Sequence, residues 1–144
     1  MIGGDPLFIV SMNGADFLKT ADPLTADWLH GLGKTASDVC AAVGIDRRSG
    51  TTRVAIIAMR VAGADHTTLV ASYVQVLRDW RPPAGLSTPS PFTTATVGGK
   101  SVAVTTIVSQ GQAVTFYLYG EADILILVTA LDAALAAEAL AYLP

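Results

Sequence analysis

Between Ser101 and Thr129 the chain has little it can build but β-structure. Residues 101–120 carry no charge, and Val, Ile, Thr, Phe and Tyr crowd three runs, Ser101–Val108, Ala113–Tyr119 and Ile124–Thr129. These residue types fit a pleated, half-buried surface. Ser109-Gln110-Gly111 and Gly120-Glu121-Ala122-Asp123 part the runs with turn residues, so the segment reads as a meander of three strands. Within the middle run Thr115, Tyr117 and Tyr119 alternate with Phe116 and Leu118, as in a sheet whose two faces differ.

Upstream, Leu7–Met12 is a short apolar strand with Asn13-Gly14 as its turn, and Ala15–Ala21 links it onward. Asp22-Pro23 then opens a helix to about Leu32, with Leu24, Trp28 and Leu32 on one stripe and Gly33 as the stop. Thr35-Ala36-Ser37-Asp38 has capping-box spacing, so residues 39–45 can run on as helix or extend as strand. The hairpin is preferred: Arg53–Val61 is β-rich, long, and needs a partner across Asp46-Arg47-Arg48-Ser49-Gly50. Asp65 caps the clearest helix, in which Leu69, Val70, Tyr73, Val74 and Leu77 share a face and Pro82-Pro83 mark the end. Residues 82–96, rich in Pro and Ser, read as a linker. Leu131–Leu143 reads as an Ala-rich helix capped from Thr129.

Ile2-Gly3-Gly4-Asp5-Pro6-Leu7 and Val97-Gly98-Gly99-Lys100-Ser101-Val102 open alike, and each is followed by strands and then a helix. This suggests a duplicated βββα unit, with halves 2–81 and 97–144 and the Pro23 helix inserted into the first. The expected fold is α+β: one antiparallel sheet of about six strands, with helices on one face only, forming two layers. At 144 residues the chain has the length of one domain, and 51% apolar content supplies a core.

Composition narrows function. A net charge of −3 with no basic stripe argues against nucleic acid. The lone Cys40 excludes an internal disulfide and reads as a small buried residue. Ile124–Leu131, the longest apolar run, falls far short of the ~20 residues of a transmembrane helix. Met1-Ile2-Gly3-Gly4-Asp5 does not read as a signal peptide.

The chemical motifs are weak. Gly31-Leu32-Gly33-Lys34-Thr35 ends like a phosphate loop, but Trp28 stands where its first glycine belongs. His30 and His66, with Asp27 and Asp65, lack the spacing of a zinc site. Glu121 and Glu138, the two glutamates, sit in a turn and a helix and form no acid–base pair. No catalytic, cofactor-binding or metal-binding residue is assigned, and a non-catalytic module is expected. The candidate binding surface is aromatic: Trp28, Trp80, Tyr117 and Tyr119, which core packing competes to explain.

The segments Val97–Val102, Tyr117–Leu125 and Ala136–Pro144, with Ser11–Leu18 and Val61–Asp65 upstream, resemble an uncharacterised bacterial domain. That domain occurs in secreted or lipoprotein-like proteins of actinobacterial and Chloroflexi type. The resemblance spans nearly the whole chain, implies an extracytoplasmic or cell-surface setting, and carries no catalytic residues. Two functions fit these readings, with an enzyme of unrecognised type as a third choice. One is a protein-interaction module, binding a partner or a second copy through a sheet face or edge. The other is a carrier of a small apolar ligand, with the 23–32 helix as lid over Phe17, Trp28 and the sheet; a cavity of ~300 Å³ or more beneath that helix favours it.

Overall fold

The computed structural model of the chain describes residues 2, 7–20, 23–48 and 51–144. They form one open antiparallel sheet of seven strands with four helices. In chain order these are β1 (Phe8–Asn13), α1 (Gly14–Thr20), α2 (Pro23–Gly31), β2 (Val39–Arg48), β3 (Thr51–Val61), α3 (His66–Asp79), β4 (Thr93–Val97), β5 (Lys100–Ser109), β6 (Gln112–Glu121), β7 (Ile124–Ala130) and α4 (Ala133–Tyr142). The sheet order is β1-β2-β3-β7-β6-β5-β4. Two meanders thus meet where β3 pairs with β7, in the register Met59↔Leu125, Ile57↔Leu127 and Ile56↔Val128.

The α+β class and the antiparallel sheet are those read from the sequence. The layering differs. One face carries Val39, Ala41, Met59, Val61, Leu118, Leu125 and Leu127 beneath α1, α2 and α3. The other carries Val54, Ile56, Val102, Tyr117, Ile126 and Val128 beneath α4 and Ile2. Helices therefore cover both faces, in three layers. The cause is β7: its side chains are apolar on both sides, so a helix on one face alone leaves the other row in water.

This placement also bears on the two halves. A two-fold that swaps β3 and β7 while keeping them antiparallel preserves the face each helix lies on. Because α3 and α4 lie on opposite faces, the β1-β2-β3-α3 and β5-β6-β7-α4 units differ in hand and do not superimpose as one repeat. The Gly3-Gly4 half of the sequence comparison lies outside the described residues, as do the Asp22 cap and the Ser49-Gly50 turn.

Two elements depart from the sequence reading. Asn13-Gly14 starts a helix rather than a turn, because Asn13 Oδ1 accepts the Asp16 amide at 2.8 Å, and Phe17 is buried under the resulting α1. The insertion is thus two helices, not one. The stretch 82–96 is not all linker: β4 begins within it, and the chain from Leu86 onward runs along β5. Gly98 and Gly99 take φ of +59° and +80°, a hairpin turn that joins β4 to β5 and adds the seventh strand. The strand option for residues 39–45 is the one realised. Asp65 caps α3 through the Thr68 amide at 3.1 Å, while α4 is capped by Asp132 rather than Thr129, through the Ala134 amide at 2.6 Å.

Two glycines set how closely the helices approach. A Cβ on Gly120 in β6 meets His66 Cβ at 2.8 Å and Val70 Cγ2 at 2.9 Å on α3. A Cβ on Gly98 meets the Ala137 carbonyl oxygen at 2.5 Å and the Ala141 nitrogen at 2.8 Å on α4. Gly120→Ala and Gly98→Ala are each expected to lower stability by ~1–3 kcal/mol, the range of an overpacked core, with Gly98→Ala the worse because of its positive φ. Chemical denaturation checks this; an unchanged midpoint for either variant means its helix is free to move away.

Candidate functional site

The helix layer on the first face is incompletely filled. Phe17 packs α1 onto the sheet core. The next helix, α2, is held chiefly against α3. Trp28 on α2 is fully buried and meets Tyr73 on α3 edge-on, ring centroids 5.0 Å apart at 87°. Its indole Nε1–H donates to Ser72 Oγ at 2.8 Å. Gly33, at φ +70°, ends the helix, with the Lys34 amide returning to the Leu29 carbonyl at 2.9 Å. Leu24 and Thr25 are left over a gap, because α2 leans on its neighbour instead of lying on the strands.

That gap is a partly open cavity of about 360 Å³. Its walls come from four sources: Phe17 and Thr20 on α1, Leu24 and Thr25 on α2, Tyr73 and Leu77 on α3 with Trp80 at its end, and a floor that includes Ile57, Phe116 and Leu127. The lining is mostly apolar, relieved by the hydroxyls of three threonines and Tyr73. A second, wider groove of about 670 Å³ adjoins it, bounded by Pro23, Asp27, Pro83, Leu86, Ser109 and Val114 among others. Leu24, Trp80, Ile107 and Phe116 border both spaces. The Pro-rich stretch after α3, read from sequence as a linker, forms a wall of this groove.

The four aromatic residues singled out in the sequence do not make one surface. Trp28 and Trp80 belong to the first face, the former in the core and the latter at the cavity. Tyr117 and Tyr119 belong to the second, where Tyr117 is buried in the core beneath α4. Burial pushes the Tyr117 hydroxyl above the ordinary value of 10.0. Tyr119 is also raised, by burial first and then by its bond to Glu121, whose Oε2 lies 3.0 Å away. Both phenols are thus held further from ionisation than a free tyrosine. Phe17, read from the sequence as lying under the 23–32 helix, does line the space, and Leu24 of the helix stripe joins it; Thr25 carries no signal in the sequence beyond its small size.

Other candidates disperse. His30 and His66 are exposed on α2 and α3, and among the described residues no group of three or more His, Cys, Asp or Glu could hold a metal ion. Asp46 is fully buried, in an ion pair with Arg53 at 2.7 Å, rather than at a solvated turn tip. Cys40, expected in the core, is exposed: it lies on the second face of β2, beyond the reach of α4. No helix among the described residues is long and apolar enough to cross a membrane.

Set beside models of protein families, curated proteins and solved structures, the chain matches none.

The Trp28–Ser72 bond fixes the helix that roofs the cavity. Ser72→Ala strands a buried indole N–H, and a loss of ~1–3 kcal/mol in unfolding free energy is expected. Thermal or urea unfolding tests it; unchanged stability indicates that the indole finds water instead.

Proposed function

We propose that this protein binds a small apolar molecule in the cavity beneath α1 and α2, without transforming it. One observation carries the reading: a largely apolar space of about 360 Å³ lies between the α2 helix and the sheet, on a scale with known ligand sites. A group the size of a water molecule takes ~30 Å³, so roughly a dozen atoms of a ligand fit. Each buried methylene contributes ~0.8 kcal/mol, enough over such a chain for useful affinity after the entropy of binding is met. α2 acts as the lid, because its anchor is a neighbouring helix rather than the floor.

Displacement or uptake of Nile red, an uncharged apolar dye, is the test. The wild type is expected to bind it with a saturable blue shift. Val43→Phe, which projects a ring from β2 into the cavity, is expected to weaken binding at least tenfold with the fold intact, and Leu24→Trp at the rim gives a second, independent block. Dye binding unaffected by both variants overturns the reading.

A separate observation favours self-association as a second activity. Among the described residues β1 is an edge strand, paired with β2, and it carries no charged residue. Phe8, Ile9 and Val10 on it are 72%, 63% and 42% exposed, and they point to both sides of the sheet. Soluble proteins commonly guard such edges with charge, proline or a bulge. Beside it, the second face is bare over Ser11, Cys40, Ala42 and Ala58, because α4 covers only the other end. A second copy pairing along β1 closes this edge and extends the sheet across two chains. Native mass spectrometry over a range of concentrations is expected to show a dimer, and Ile9→Lys to raise its dissociation constant at least tenfold without lowering Tm. A wild type that stays monomeric at high concentration rules this out.

A further inference from the structure

We infer that the ligand is a single-chain amphiphile whose head group is neutral or cationic, and that Asp27 in the groove turns away anionic heads. This rests on the cavity reading above and goes beyond it to the chemistry of the head. The cavity takes an apolar tail, and the adjoining groove, bordered by the same Leu24, Trp80, Ile107 and Phe116, takes whatever follows the tail outward. Among the described residues that line the two spaces, Asp27 alone is charged. Asp27 is exposed and stands on α2 one turn beyond Pro23 and Leu24, so the three share the side of the helix that borders the groove.

One feature opposes this charge. The N-terminus of α2 also lies at the groove, and a helix start carries about half a positive elementary charge. The full charge of a carboxylate within the same two turns outweighs it. A carboxylate or phosphate head therefore enters a groove whose described lining residues include no cation. An ammonium meets a counter-charge, and a hydroxyl meets Ser109 and the groove's polar rim.

Three ligands with one tail separate the possibilities: dodecylamine, 1-dodecanol and dodecanoate, each displacing Nile red at micromolar, sub-micellar concentration in 0.15 M salt. The amine and the alcohol are expected to displace the dye, with dodecanoate about tenfold weaker or more, as a like charge held near Asp27 implies. Asp27→Asn is expected to narrow the gap, and Asp27→Lys to reverse the order of amine and carboxylate. Asp16→Asn changes net charge equally, away from the groove, and is expected to leave the order unchanged. Dodecanoate binding as well as the amine, or an order that Asp27 variants do not move, overturns this inference and leaves the cavity reading standing. If the dye binds and none of the three competes, the occupant is not a single-chain amphiphile. Failure of Nile red itself to bind overturns the cavity reading together with this one.

Discussion

Everything in this fold hangs on the pairing of β3 with β7. Each is the last strand of a meander, and their antiparallel register joins two otherwise separate ribbons into one sheet. Apart, each ribbon would end on a long strand with an unpaired edge. Joined, the two strands place Met59 and Val61 beside Leu125 and Leu127 on one side, and Val54 and Ile56 beside Val128 and Ala130 on the other. Both rows are buried. The pair thus dictates that helices be supplied to both faces, and the three-layer arrangement follows from it rather than from any property of the helices.

The two helix layers meet that demand differently. On the second face α4, built of Ala and Leu, lies close to the strands, and Gly98 removes the side chain that would hold it off. On the first face α3 lies as close to β6, by way of Gly120. α1 and α2 then have to cover the remaining breadth of the sheet. α1 does so with Phe17, but α2 commits its largest side chain, Trp28, sideways to Tyr73 and Ser72 on α3. Trp28 and Leu29 still reach the core of this face, and the open space lies on the Leu24–Thr25 side of α2.

Local signals in the sequence were enough for most elements. Asp65 and Gly33 mark helix ends by mechanisms that act within a few residues, and the charge-free 101–120 stretch admits only strands. The layering was harder, because which face a helix takes depends on the crossing from β7 into α4, set by packing over the whole sheet. The apolar run of β7 on both faces was the available clue. Asn13-Gly14 misled because the same pair serves a hairpin turn or a helix start, and only burial of Phe17 decides between them. Gly98-Gly99 was noticed as the opening of a strand but is the turn between two. The aromatic residues were judged by type, and type does not say which side of a sheet a residue occupies. A space under the 23–32 helix beside Phe17 is one of the two readings the sequence allows, but its lining is not legible: Trp28 packs into the core instead, and Leu24 and Thr25 look the same whether the space beneath them is filled or not.

The cost of that space is an argument about its occupant. The space of about 360 Å³ is partly open, so solvent reaches walls that are mostly apolar. Water is a poor filler, since each buried water molecule needs two to four polar partners and the walls offer little beyond a few hydroxyls. An apolar molecule removes the cost directly, and by mass action it stabilises the folded chain in proportion to the logarithm of its concentration over its dissociation constant. If the proposed ligand binds there, the same apolar walls would link its occupancy to the stability of the fold.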